Sequence, residues 1–310
     1  MKKLFFLLLF LNISFCFGQS IDNTQDEKIK AAKDFTEVFL KENNIPGIAI
    51  SVSKNGEIIW SKGFGYSNIE LKSKVSPSKT QFRIASISKS ITAVALAKLV
   101  DDGKLDFDES IYKYIIDFPK KKFDFTIRQV GGHIAGIRHY KGKEFISNKK
   151  MTIVEGLDLF KDDPLRFKPG SDYGYSTYGF SILSVVIQNT AKISFNDYVQ
   201  KTIFNPLKMG LTALDLSDSE MPNRTQFYRK TNGNQIVLGR TVSNEHKVAG
   251  GGFVSTSEDL IKFGNEILKP KIIATSSLKE LVKPQILDSG KSTNYGIGFR
   301  ISRTKNDTPI

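Results

Sequence analysis

Cysteine is nearly absent: the 310 residues hold one, Cys16, close to the start. No disulfide framework, cysteine-based zinc site or thiol nucleophile can therefore be built in the body of the chain. Histidine occurs only at His133, His139 and His246. None of the three belongs to an H-E-x-x-H or comparable metal pattern, so a structural or surface histidine is the better reading for each, and no metal or other cofactor is expected. A G-x-S-x-G elbow is missing, which argues against an α/β-hydrolase. Ser289-Gly290-Lys291-Ser292 has the ending of a phosphate loop, but Gln285 stands where the first glycine is required.

Long apolar runs are scarce as well. Leu4 to Leu11, behind the basic head Met1-Lys2-Lys3, is shorter than the roughly 20 residues a spanning helix needs. With Cys16-Phe17-Gly18 after it, the stretch reads as a secretory signal peptide cut near Gly18, leaving Gln19 as the mature start. Phe15 is bulky where a lipobox wants a small residue, which argues against a lipid anchor on Cys16. The expected organisation is a signal peptide over 1–18 and one domain over 19–310. The mature chain is expected to be periplasmic or secreted, with no stable membrane span.

Acidic residues are the minority charge. Asp plus Glu number 32 against 45 for Lys plus Arg, a formal net charge of +13. Removing residues 1–18 takes away two lysines and no acid and leaves +11. The lysines are spread along the chain in short clusters such as Lys120-Lys121-Lys122, with no basic helix and no interleaved aromatic platform. A nucleic-acid partner is therefore not expected. A solvated basic surface is the plain reading, and an anionic cell-wall polymer is compatible with it.

What is present supports a packed α+β domain, since apolar residues make up 40% of the chain. From Asp26 to about Asn43, Ile29, Ala32, Phe35, Phe39 and Leu40 recur as on one helix face. Ile48–Ser53 and Glu57–Lys62 are β-rich runs joined through Lys54-Asn55-Gly56, a strong hairpin signal. From Ser86 the period changes to helical: Ile91, Val94, Ala95, Leu96 and Leu99 form an apolar helix closed by Gly103. Helices and long loops continue to about Lys247, including Tyr178–Thr190 and Phe195–Ile203. After Gly250-Gly251-Gly252, Ser255 and Glu258 read as a capping box opening a helix through Leu268. A short helix near Leu278 and a strand over Tyr295–Ile301 complete the expectation. Strands at both ends and helices between them predict an antiparallel sheet built from N- and C-terminal segments, with a mainly helical subdomain over about 86–247.

The S-x-x-K pattern occurs at Ser51, Ser76, Ser86, Ser110, Ser147, Ser276 and Ser302. Only Ser86-Ile87-Ser88-Lys89 stands at the entry of a long apolar helix, with Ser86 and Lys89 one turn apart on one face. The helix N-terminus favours a neutral lysine amine, able to take the serine proton, and an oxyanion on an attacked carbonyl. On the tetrapeptide alone, Ser86 or Ser88 as a mere helix cap is the plainer reading.

The surroundings change that. Thr80–Thr92 resembles the nucleophile segment of serine β-lactamases and penicillin-binding proteins, in the branch related to class C enzymes. Pro46-Gly47-Ile48-Ala49 through Gly63-Phe64-Gly65-Tyr66 is similar to that family's opening hairpin, and Gly103-Lys104-Leu105-Asp106 to the turn after its nucleophile helix. Gly132-His133-Ile134-Ala135-Gly136-Ile137-Arg138-His139-Tyr140 resembles its S-H-x-S-G loop, and Tyr175-Ser176-Thr177 its Y-x-N or Y-x-S/T element. Phe204–Met209 and Ala249–Asp259 fit too, so the resemblance runs over roughly 26–301. Within that family it is similar in flavour to the mitochondrial serine β-lactamase-like proteins and their bacterial relatives.

The resemblance implies Ser86 as the acylated nucleophile and Lys89 as its proton acceptor. It implies Tyr175 as the partner acid/base, with a phenol pKa lowered by nearby ammonium charge, and Thr177 as a residue aligning substrate or Lys89. The Ser86 N–H would give half of an oxyanion hole. The implied activity is an exported serine hydrolase acting through an acyl-enzyme on a small-molecule or peptide substrate: β-lactam, D-amino-acid peptide, other peptide or simple ester. The alternative is a non-catalytic penicillin-binding-like binding or regulatory protein, or an inactive fragment. Gly132 and Ala135 replace the usual hydroxyls and are expected to loosen their loop. The family's third element, K-T-G or H-x-G, does not occur before Ile310, so a chain incomplete at its C-terminus, and inactive as it stands, is expected.

Overall fold

The structure, a computed structural model, describes residues 23–217 and 221–302. The expected signal peptide lies outside the described residues. Helix α1 (Asn23–Glu42) leads into a hairpin of β1 (Gly47–Lys54) and β2 (Glu57–Asn68), and β3 (Ser73–Lys74) pairs with the far end of β2. Lys54 pairs with Glu57 across the hairpin turn. Both turn residues are left-handed, Asn55 at φ 55° and Gly56 at φ 89°. Asn-Gly tolerates that backbone, and its twist matches the strands on either side. The face α1 turns inward differs from the expected one. Ile29, Ala32 and Leu40 are half-buried and Thr36 is buried, while Phe35 is 69% exposed and Phe39 lies beside it, their rings stacked at 6.0 Å. The stripe 29–32–36–40 keeps a strict three-to-four spacing, and Phe35 and Phe39 fall on its flank.

Strand β4 (Phe82–Arg83) feeds α2 (Ser88–Asp101), the central helix of the core. Ile91, Val94, Ala95, Leu96 and Leu99 have no exposed surface. A helix apolar on every side can be covered only by being surrounded. Gly103, at φ 67°, ends the turn behind it, and the N–H groups of Gly103 and Lys104 return to Val100 O and Leu99 O, both at 2.9 Å. Against α2 pack α4 (Thr177–Ala191) and α5 (Phe195–Val199), the latter passing into a wider turn at Gln200–Phe204, and α3 (Ile127–Gly131) packs on α4.

Three short strands follow, β5 (Ala213–Leu214) and the hairpin β6 (Tyr228–Lys230) with β7 (Ile236–Leu238), and then α6 (Val248–Gly251) and β8 (Phe253–Ser255). β8 lies between β4 and β5, antiparallel to both, with Phe82 opposite Ser255 and Arg83 opposite Val254. That pairing brings the residues before Ser86 against the Gly250–Gly252 turn. Phe253 is packed by Phe195 at 6.2 Å and Phe204 at 5.3 Å. Burial of such a ring contributes about 1.5–3 kcal/mol.

Helix α7 (Ser257–Leu268) starts one residue later than expected. Its cap is Thr256, whose Oγ1 accepts from Asp259 N–H at 3.0 Å, while Ser255 belongs to β8. Glu258 is thereby freed to accept from Ser61 Oγ at 2.7 Å, and Ser257 meets Ser51 at 2.8 Å. These bonds lay α7 on the opening hairpin, so among the described residues the C-terminal half contributes a helix to that sheet. Helix α8 (Thr275–Val282) matches the expected short helix near Leu278. Tyr295–Ile301, expected as a strand, is a tight loop closed by a Tyr295–Arg300 bridge. Ile297 is fully buried, and Gly298, at φ 75°, lets the backbone turn against α2.

Candidate active site

Ser86 sits in a 3-10 turn, Ala85–Ile87, between β4 and α2. Ala85 is held at φ 45°, a left-handed conformation that costs an L-residue energy and recurs where a side chain must be aimed. The Ser86 side chain is exposed at the mouth of the site, and no described residue accepts a hydrogen bond from its N–H. Neither Ser86 nor Ser88 caps the helix: the residue before α2 is Ile87, with no side-chain cap bond. Ser88 is buried, and its hydroxyl instead accepts from Phe253 N–H at 3.4 Å.

One turn on, Lys89 is fully buried beneath Ser86. Its Nζ lies 3.3 Å from Ser86 Oγ, 3.3 Å from Thr177 Oγ1 and 2.5 Å from Gly250 O. Burial alone pulls the amine down from 10.5 to about 7, because water no longer solvates the ammonium. A neutral amine fits these three partners. Two hydrogens go to Gly250 O and Thr177 Oγ1, and the lone pair faces the Ser86 hydroxyl.

Tyr175 closes the other side, donating from its hydroxyl to Ser86 Oγ at 2.8 Å. Its pKa is raised by burial, with the Ser86 and Thr177 hydrogen bonds opposing that only in part. The expected lowering by ammonium charge does not occur. The same burial that would bring the ammonium close discharges it. Tyr175 thus stays a phenol at neutral pH, a proton donor rather than a phenolate. Thr177 opens α4 behind the Ser176 cap, whose Oγ accepts from Gly179 N–H at 3.0 Å. Four side chains from two helix N-termini thus converge, with an exposed hydroxyl at the surface and a buried amine below it.

The sequence model of the family described as Beta-lactamase matches residues 31–308. The chain belongs to the beta-lactamase family. The serine beta-lactamase-like protein LACTB, mitochondrial, of Homo sapiens is 32% identical over 323 residues, covering 82% of this chain and 57% of its own length. The chain thus spans little more than half of that relative. Among solved structures, the octameric penicillin-binding protein homologue from Pyrococcus abyssi is similar with a TM-score of 0.76 at 24% identity, covering 88% of this chain and 65% of its own. EstCE1, a hydrolase with promiscuous acyltransferase activity, gives a TM-score of 0.79 at 17% identity, covering 90% and 84%. Both structural likenesses concern the beta-lactamase fold.

Further groups at the site of this beta-lactamase family member were not singled out by sequence reasoning. Gly250 O, the shortest contact of Lys89, is a backbone atom brought in by the β4–β8 pairing. Arg138 is buried and forks onto Glu144 at 2.8 and 3.0 Å, pairs with Asp163, and donates to Leu159 O at 2.5 Å. It fixes the loop 132–139 beside Tyr175. That loop is not loosened by Gly132. A Cβ there would meet Gln285 Cγ at 2.4 Å, so Gln285 occupies the room a larger residue would need. The signal that existed for Arg138 was its place within the matched loop Gly132–Tyr140, where no role was assigned to it. His246 is buried away from the quartet, with neither ring nitrogen hydrogen-bonded among the described residues.

Proposed function

We propose that this chain is the catalytic part of an exported serine hydrolase that forms an acyl-enzyme on Ser86 with amide or ester substrates. The observation that carries the reading is a buried amine near neutrality, 3.3 Å from an exposed serine hydroxyl that also accepts from a phenol at 2.8 Å. In the acylation step the Lys89 amine takes the Ser86 proton as Oγ bonds to the substrate carbonyl carbon. The carbonyl oxygen becomes an oxyanion beside the Ser86 N–H and the positive end of α2. The Tyr175 phenol then protonates the departing amine or alcohol and is reprotonated from Lys89. Water attacks the acyl-enzyme along the reverse path and releases the acid. A β-lactam, a D-amino-acid peptide, another peptide or a simple ester would all satisfy this chemistry.

Incubation of the full-length mature protein with a fluorescent penicillin and with a fluorophosphonate, followed by mapping of the adduct, tests the reading. A covalent label on Ser86 is expected. A folded protein that takes no label from either reagent supports a binding or regulatory role instead. Export is tested separately by the N-terminus of the protein recovered from its native host: Gln19 in the extracytoplasmic fraction is expected, and a retained Met1 in the cytoplasm overturns it.

A further inference from the structure

The loop 132–139 holds two of the three histidines, and both turn Nδ1 to one short stretch of backbone. The Ser176 N–H donates to His133 Nδ1 and the Thr177 N–H to His139 Nδ1, each at 3.2 Å. These are the two backbone donors immediately after Tyr175. They stand at the start of α4, where helix geometry leaves N–H groups without intrahelical acceptors. The same stretch is tied a third time, since Ser176 Oγ donates to Arg138 O at 2.7 Å. The His133 ring also packs directly on Tyr175, with centroids 4.3 Å apart, and on Tyr295 at 4.6 Å.

We propose that His133 and His139 are positioning residues, which set Tyr175 and Thr177 against Ser86 and Lys89 and do so only as neutral imidazoles protonated on Nε2. The kinetic consequence rests on the acyl-enzyme reading above; the clamp itself rests on the two hydrogen bonds. Each Nδ1 accepts, so the single ring proton must sit on Nε2. A second proton, on Nδ1, would face an N–H with another N–H and break the bond.

The groups around the rings keep that proton away. His133 is enclosed by Tyr173 and Tyr175 before α4, Phe180 on α4 and Tyr295 of the C-terminal loop, with Lys89 of α2 and His139 as its charged or titratable neighbours. His139 lies between Tyr140 and Tyr175 and also faces Lys89. Arg138 precedes it in the chain, its charge met by Glu144 and Asp163. Burial first, and Lys89 second, hold His133 down to about 3 and His139 below its ordinary 6.5. Loss of the Lys89 base near pH 7 therefore comes first on acidification, and loss of the His139 acceptor follows at lower pH.

The test compares Ser86 acylation rate against pH for the wild type, His139→Asn and His139→Leu. Asparagine can present Oδ1 where Nδ1 stood and cannot titrate; leucine removes the acceptor. His139→Leu is expected to acylate about 10- to 10²-fold more slowly at pH 8, the scale of a small misplacement of catalytic groups, with an unchanged circular dichroism spectrum. His139→Asn is expected to restore most of that rate. Its acid limb should follow one proton, whereas the wild-type limb steepens towards two. Wild-type rate and wild-type limb in both variants would overturn the clamp while leaving the acyl-enzyme intact. If the wild type takes no label at all, the acyl-enzyme reading fails. The clamp is then decided by long-range 1H–15N NMR of the imidazoles. Nε2–H tautomers that titrate below 6.5 are expected, and a proton on either Nδ1 overturns it.

Discussion

Ser86 is exposed and Lys89 is not, and this difference decides what a substitution does at each. Ser86→Ala removes an oxygen from the surface of a turn. Acylation should vanish while the melting temperature stays within about 2 °C, since surface changes of this kind are worth about 0.5 kcal/mol or less. Lys89→Met acts in two directions at once. Loss of the proposed general base should slow acylation by at least about 10²-fold, read by probe labelling. The same change relieves the burial of a group whose pKa has been drawn from 10.5 to about 7. A tenfold change in proton affinity corresponds to about 1.4 kcal/mol, and the unpaired Gly250 carbonyl gives back part of the gain, so a net increase of about 2 kcal/mol is expected by urea unfolding at pH 7.5. A Lys89→Met protein that is both slower and less stable would mean that the amine is a structural donor first.

At the scale of elements, the site depends on how closely the C-terminal loop can approach α2. A Cβ on Gly298 would stand 2.6 Å from Ala93 Cβ and 2.7 Å from Lys89 O, on a residue held at φ 75°. Neither neighbour can yield, since one is a helix backbone and the other is packed in the core. Gly298→Ala should therefore cost about 2 kcal/mol or more in stability, from overpacking and left-handed strain together. It should also slow acylation beyond what the stability loss explains, because the displaced atom is the Lys89 carbonyl. Thermal unfolding and labelling rate, measured on the same preparation, check the two effects.

For the molecule as a whole, buried titratable groups set how stability responds to pH. Lys89 and Lys247 deprotonate near 7 and 8 in the fold, mainly through burial, against an ordinary 10.5. Between those values the unfolded chain binds more protons, so stability should climb as pH rises from about 7 towards 10. Tyr140, Tyr178, Tyr198 and Tyr295 behave oppositely, held above the ordinary 10.0 chiefly by burial. Above about pH 10 the unfolded tyrosines ionise and the folded ones do not, so stability should fall again. Urea midpoints measured from pH 6 to 11 should pass through a maximum between about 9 and 10, and a flat curve would show that the lysines remain hydrated.

The sequence by itself determined what local chemistry can determine. Asn55-Gly56 demanded a left-handed two-residue turn, and the all-round apolar surface of Ile91–Leu99 demanded a surrounded helix. The ordered motifs at Ser86, Lys89, Tyr175 and Thr177 pointed to one site, and the structure brings those side chains together. What it could not determine were quantities set by neighbours distant in the chain. The inward face of α1 depends on packing against β2, and periodicity alone allowed Phe35 where Thr36 is buried. The cap of α7 moved from Ser255 to Thr256 because β8 claims Ser255 for pairing with Phe82. The Tyr175 phenol is raised rather than lowered because burial acts on Lys89 and Tyr175 together, and burial is a property of the assembled core. His133 and His139 offered no metal spacing, so their contacts with two successive N–H groups of α4 became visible only once tertiary packing had set the loop beside that helix.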